Sequence, residues 1–174
     1  MKTFQNYITE VFDKPYKWSG GNVAKGAVTP TSREFEMDEF SFNTSDDGTV
    51  ELIANHWWIG LDKQIAGMKI KKEGLLIAIE FVKNNEYKMT GEGDAMRILA
   101  TVLDIIKSII KKHEPMTLIF SADKSQDKSD RSGREKTGRA GAYGAIVKRF
   151  AGKMGYKSDT KDSNRKVEWQ LTKK

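Results

Sequence analysis

A continuous apolar run from Leu75 to Val82 is interrupted by a single charged residue, Glu80. A strand that is apolar at successive positions suits the centre of a sheet that is covered on both faces. A glycine-containing turn follows, and apolar residues then recur at helical spacing over residues 95–110. A short apolar strand at 116–120 is predicted to return parallel to the first one through this helix. This strand–helix–strand unit predicts an α/β fold.

The other elements are predicted from alternation, helical periodicity and turn residues. An amphipathic helix is expected over 3–12, and residues 16–31 are expected to be mostly loop with an edge strand near Trp18. The alternation slips between Met37 and Phe40, which predicts a bulge there. The remaining expected elements are a hairpin of 35–43 with 49–54, a second amphipathic helix carrying Tyr143, Val147, Ala151 and Met154 that ends at Gly155, and a last strand with Val167, Trp169 and Leu171.

Together these elements predict a mixed α/β (α+β) sheet with helices on both faces. We expect one domain over residues 1–174, in which 1–31 form an N-terminal helix plus loop and 123–137 form a charged loop.

The composition narrows the classes of protein to which the chain can belong. Its 174 residues include no cysteine and two histidines, which excludes disulfide frameworks and thiolate metal sites and leaves little for any other metal centre. No apolar run approaches the roughly 18 residues of a membrane span, and the first residues are too polar for a secretory signal. A protein of the cytoplasm with no membrane association is therefore expected.

Positive charge is concentrated near the C-terminal end. Residues 1–122 hold 15 Lys and Arg against 17 Asp and Glu, whereas residues 123–174 hold 15 against 7. Such asymmetry indicates either a polyanionic partner or a solvated basic face, and the sequence leaves both open. No aromatic residue is interleaved with this cluster before Tyr143, so it supports contacts to phosphates more than base stacking. The candidate nucleic-acid contacts are Lys128, Arg131, Arg134, Lys136 and Arg139.

The turn between the apolar strand and the long helix has the composition of an anion site. Free N–H groups in the first turn of a helix, together with the helix dipole, attract negative charge. Gly91 and Gly93 lack side chains that would block a phosphate, and Lys88 adds a positive charge. A purely structural connection between strand and helix is the alternative interpretation.

The segment Phe81–Gly93 resembles the cofactor segment of the GNAT acyltransferase superfamily. In that family a central strand leads into an Arg/Gln-x-x-Gly-x-Gly/Ala turn that begins a helix, and here Tyr87, Lys88, Gly91 and Gly93 are in register with it. Lys153–Tyr156 is similar to the Gly-Phe end of a later helix in the family. The layout is most similar to small phage-encoded GNAT-like proteins of unknown role, which would place this chain in the host cytoplasm.

The resemblance implies a splayed sheet that holds acetyl-CoA or another acyl-CoA and transfers the acyl group to an amine. The pyrophosphate would then lie on the amides of residues 91–94, and the acyl carbonyl near the backbone of Val82 and Lys83. Lys88 replaces the usual Arg or Gln of the motif. The implied cofactor-binding residues are Val82, Lys83, Lys88, Thr90, Gly91, Glu92, Gly93 and Asp94.

Two residues are candidates for the catalytic chemistry. Glu80 would be the general base if burial in the apolar run raised the pKa of its carboxyl, and it would be structural if it pointed to solvent. Tyr143 is the candidate acid for the thiolate leaving group, with core packing as its alternative. His56, Trp57 and Trp58 are candidates for the wall of an acceptor pocket or for core residues. The second functional hypothesis is a non-catalytic GNAT-fold protein that binds nucleic acid or a host protein through its basic C-terminal face.

Overall fold

The computed structural model contains nine strands and one helix whose bounds are defined. It describes residues 14–25, 36–45, 47–60, 64–65, 68–83, 92–123, 144, 147–148, 150–163 and 166–174. The strands are β1 (Trp18–Lys25), β2 (Glu36–Asn43), β3 (Thr49–Ile59), β4 (Gln64–Ile65), β5 (Met68–Lys69), β6 (Gly74–Lys83), β7 (Thr117–Asp123), β8 (Tyr156–Asp162) and β9 (Lys166–Lys173), and the helix is α1 (Glu92–His113).

Seven of the strands form one mixed sheet in the order β1-β2-β3-β6-β7-β9-β8, and β4 pairs with β5 as a separate hairpin. Strand β6 runs parallel to β7, and β7 and β8 each pair antiparallel with β9. The predicted parallel connection through a long helix is therefore confirmed, and the last predicted strand returns to the sheet antiparallel to β7. A mixed α/β sheet is also confirmed, whereas helices on both of its faces stay a prediction. No helix in the described ranges is both long and apolar enough to cross a bilayer.

Contacts divide the chain into two compact units, which we call unit 1 and unit 2. Unit 1 comprises Met1–Asn55 and Glu80–Glu114, and unit 2 comprises His56–Ile79 and Pro115–Lys174. The division falls within β3 and β6. The expected helix over 3–12 and most of the expected charged loop of 123–137 lie outside the described residues.

Unit 1 is organised by α1, whose buried surface is broader than the predicted stripe. Leu99, Val102, Leu103, Ile106 and Ile109 are buried as the periodicity predicts. The flanking positions Ile98, Thr101 and Ile105 are also fully buried, each at 0% exposure. A helix buried over so wide a face derives most of its stability from tertiary packing and little from intrinsic propensity.

Residues 14–18, which precede and begin β1, are anchored to α1 by polar contacts. The Tyr16 amide donates to Thr101 Oγ1 at 2.8 Å, and Trp18 Nε1 donates to Asp104 Oδ2 at 3.0 Å. The Arg97 guanidinium lies 3.9 Å from the centre of the Tyr16 ring. An apolar helix face alone would bury this segment without defining its position along the helix. The two hydrogen bonds and the contact with Arg97 define that position.

We predict that Thr101→Val lowers the free energy of unfolding by about 1–3 kcal/mol, because the buried amide of Tyr16 loses its acceptor. Thr101→Ser retains the hydroxyl and loses one methyl group, so its cost should be about 1 kcal/mol. Urea denaturation of the three proteins measures both values. Equal losses in the two variants would show that packing, rather than the hydrogen bond, accounts for the effect.

The predicted bulge does not lie in β2. Asp38, Phe40, Phe42 and Thr44 are all buried, so the inward alternation of β2 is unbroken and Met37 lies on the other face. The slip in the sequence arose because an acidic residue occupies a core position. The irregularity lies on the partner strand, between Gly20 and Asn22 of β1. A Cβ atom at Gly20 (φ +121°) would stand 2.1 Å from the Glu39 carbonyl oxygen, which requires glycine there.

The Asp38 carboxylate is fully buried and joins β2 to the last turn of α1. It accepts a hydrogen bond from Lys112 Nζ at 3.0 Å and lies 2.5 Å from His113 Nε2. Lys112 Nζ also donates to the Gly21 carbonyl at 2.7 Å. A buried carboxylate is tolerated only when it is paired and hydrogen-bonded, and the Lys112 ammonium stands where the negative end of the helix dipole also favours a positive charge.

Unit 2 buries both faces of β7 and β9. On one face Ile59, Ile70, Leu76 and Ile119 form a hydrophobic cluster, against which Trp57 and Ala78 pack. On the other face Trp169 stacks on Phe120 with ring centres 5.5 Å apart. The predicted final strand is therefore confirmed, but its polar positions Glu168, Gln170 and Thr172 are buried as well.

The segment before β8 confirms a helix end at Gly155. The described residues within 144–150 are helical, Gly155 has a φ of +82°, and the Tyr156 amide donates to the Ala151 carbonyl at 2.9 Å. This is the bond of a glycine-ended helix, in which the left-handed residue lets the chain reverse. The edge strand β8 that follows was not predicted, because six of its seven residues are polar and exposed.

Candidate functional site

The passage from β6 to α1 is the predicted anion site, and both of its described ends belong to unit 1. The end of β6 supplies the backbone of Glu80–Lys83, and α1 begins at Glu92. Gly93 and Asp94 lie in the first turn, where amide groups have no acceptor within the helix. The helix begins two residues before Asp94, so Asp94 is a first-turn residue and not the N-cap.

Other residues of the expected cofactor site are known only in part. Val82 lies in β6 as expected, β6 extends one residue further to Lys83, and Glu92 and Gly93, which were expected in the turn, lie with Asp94 in α1. Only the backbone of these five residues is described. Lys88, Thr90 and Gly91 lie outside the described residues. The roles expected of these eight residues stay predictions.

The ladder between β6 and β7 joins Leu76–Ile79 with Thr117–Phe120, and each strand continues beyond it toward its carboxyl end. Ligand sites in α/β sheets form at the carboxyl ends of parallel strands. Lys83 ends β6 within unit 1, so the predicted anion site follows a carboxyl end of this kind.

Glu80 is not in the buried environment that made it a candidate for the general base. Leu76, Ile77 and Ile79 of the same strand are buried, but the Glu80 side chain is exposed. The expected desolvation of this carboxylate is therefore absent, and the solvent-facing alternative is what the structure shows. The one charged residue of the apolar run therefore occupies an exposed position, and the buried positions before it are apolar.

The structure separates the three aromatic and histidine candidates on β3. His56 is buried, Trp57 packs against the hydrophobic cluster of unit 2, and Trp58 is 77% exposed. Because neighbouring residues of a strand point to opposite faces, Trp57 and Trp58 cannot line the same pocket. The hypothesis of a shared acceptor wall is therefore wrong for these two side chains.

Tyr143 and the five candidate nucleic-acid contacts, Lys128, Arg131, Arg134, Lys136 and Arg139, lie outside the described residues. The charge of the two units nevertheless differs sharply. Unit 1 contains 11 Lys and Arg against 15 Asp and Glu, a net charge of −4, whereas unit 2 contains 19 against 9, a net charge of +10. The positively charged unit therefore includes residues 56–79 as well as the C-terminal region.

One cavity of unit 1 was not expected from the sequence. It has a volume of about 330 Å³ and lies against β1, β2 and β3. Ser19, Glu39, Ser41 and Glu51 supply its polar lining, so it offers carboxylate and hydroxyl oxygens. That lining is unsuited to a pyrophosphate, which requires donors or positive charge. The alternating polar residues of these strands were its only signal in the sequence.

Comparisons with protein-family models, with curated proteins and with solved structures found no match to this chain.

Proposed function

We propose that the protein binds an acyl-CoA at the start of α1 and transfers the acyl group to an amine. The observation that carries the proposal is the order β6–α1–β7, in which a parallel strand pair is joined through a helix that begins immediately after the Gly91 position. A phosphate group at the first-turn amides of Glu92–Asp94 would be favoured by unsatisfied N–H groups and by the helix dipole.

The proposed reaction forms a C–N bond and breaks a C–S bond. The nitrogen of the neutral amine attacks the thioester carbonyl, the thiolate of CoA departs, and the proton released from nitrogen passes to a base. The thiolate gains a proton to give free CoA. Since Glu80 is exposed, it can accept this proton only as a solvated carboxylate, and water is an equally available acceptor.

Calorimetric titration with acetyl-CoA tests the binding step. Gly91→Trp introduces an indole where the pyrophosphate would lie, and we expect the heat of binding to be lost. Gly152→Trp is the matched control, because Gly152 is exposed and has no atom within 4 Å of an added Cβ. Equal affinities of acetyl-CoA for the parent protein and for Gly91→Trp would contradict the proposed site, as would an absence of heat with the parent protein at millimolar ligand.

A further inference from the structure

Trp58 of β3 has an exposed indole. In the described part of the chain, Trp58 and Met116 are the large apolar side chains that remain exposed, at 77% and 36%. Burial of a tryptophan contributes several kcal/mol to folding, so one that stays in solvent contributes little to the core. Exposed aromatic side chains are enriched where a protein binds a partner.

The face on which Trp58 lies follows from its neighbours in unit 2. Trp57 and Ile59 pack with Leu76 and Ile119 on one face of the sheet, so Trp58 projects from the opposite face. Trp169 is paired with Phe120 and therefore also lies opposite Ile119. A Cβ at Gly144 would stand 3.7 Å from the Trp169 indole nitrogen, which places Gly144 on this face too, and the helical residues 147, 148 and 150 follow it.

The described residues that follow Gly144 include exposed lysines. Val147 and Ala151 are buried, whereas Lys148 and Lys153 are exposed. The exposed indole and these ammonium groups therefore lie on the same side of the sheet, in a unit whose net charge is +10. We call this combination of Trp58, Lys148 and Lys153 the indole–lysine face.

We infer that the indole–lysine face binds single-stranded nucleic acid, with an unpaired base stacked on Trp58 and backbone phosphates near Lys148 and Lys153. Charge complementarity selects a polyanion, and the flat indole selects one that carries accessible aromatic rings. A duplex presents phosphates but keeps its bases stacked internally, so it would use the lysines and not the indole. This activity is separate from acyl-CoA binding at the start of α1.

Titration of a dye-labelled 20-nucleotide oligo(dT) with the protein at fixed, low salt measures the affinity by dye fluorescence and tests this inference. Trp58→Ala should weaken binding about ten-fold or more, since base–aromatic stacking is lost. Trp58→Phe should retain most of the affinity, because a phenyl ring also stacks. Met116→Ala is the control for loss of an exposed apolar side chain and should bind as the parent protein does.

The lysine contribution is measured on the same oligonucleotide and on a duplex of equal length. Lys148→Glu with Lys153→Glu should weaken both complexes and reduce the salt dependence of binding, whereas Trp58→Ala should weaken only the single-strand complex. Unchanged affinity of Trp58→Ala for oligo(dT), or equal losses on single strand and duplex, would overturn the inference. Titration of Trp58→Ala with acetyl-CoA keeps this outcome separate from that of the proposed acyl-CoA site, because its heat should be unaltered.

Discussion

Replacing both side chains that contact the buried Asp38 carboxylate, in the variant Lys112→Met/His113→Leu, is expected to lower the free energy of unfolding by about 3–5 kcal/mol. The substitutions keep the helical length of α1 and much of the side-chain volume, but they remove two partners of a charge that has 0% exposure. The desolvation of that charge is then poorly compensated. Guanidinium denaturation monitored by circular dichroism measures the loss.

Two further variants separate the buried charge from general effects at the end of the helix. Lys111→Met changes the neighbouring exposed lysine and should alter stability by less than about 0.5 kcal/mol. Adding Asp38→Leu to the double variant should restore part of the loss, because an apolar replacement of a whole buried ionic group is often tolerated. A double variant as stable as the parent protein would contradict the ionic role that we assign to Asp38.

The second large effect is expected at Trp169, whose side chain is 1% exposed and stacks on Phe120 in unit 2. Trp169→Ala should cost about 3–5 kcal/mol, because it removes a large buried surface and leaves a cavity that the sheet cannot close. Trp58→Ala is the same chemical change at a side chain that is 77% exposed, and it should cost less than about 0.5 kcal/mol.

Thermal and chemical denaturation of these two variants compares them directly. Similar losses for Trp58→Ala and Trp169→Ala would show that Trp58 contributes to the core, and this would also remove the basis of the indole–lysine face. A large loss for Trp169→Ala alone supports both the packing of unit 2 and the availability of Trp58 for a ligand.

Elements with strong periodicity could be predicted from the sequence. Helix α1 and strand β6 were identified because their apolar residues bury broad surfaces, which leaves a clear pattern. The end of the second helical segment was identifiable because a glycine with a positive φ is required there.

Elements at the edges of the sheet carried much weaker signals. The sequence predicts mostly loop at strand β1, because its glycines and small residues have low strand propensity. The register of β1 is set by its pairing with β2. Strand β8 was missed, because an edge strand with one buried residue needs no hydrophobic pattern. Strand β3 continues to Ile59, and its last residues are recognisable as strand only when the cluster that buries Trp57 is known.

Side-chain environments were harder to predict than elements. The position of Glu80 within an apolar run suggested burial, but Glu80 shares a strand face with Leu76 and Ala78, and exposure on that face rises along the strand from Leu76 to Glu80. Asp38 is the opposite case, since its charge interrupts the apolar alternation of β2 although the side chain is buried against Lys112 and His113, 74 and 75 residues away. Neither partner can be identified from local sequence.

The most direct test of the proposed acyl-CoA site is an NMR titration of the uniformly ¹⁵N-labelled protein with acetyl-CoA. We predict that the largest amide shifts occur at Glu92, Gly93 and Asp94, because the pyrophosphate would accept hydrogen bonds from the first turn of α1. The proposal would be contradicted if these three amide resonances stayed fixed while acetyl-CoA saturated the protein. It would also be contradicted if acetyl-CoA did not bind.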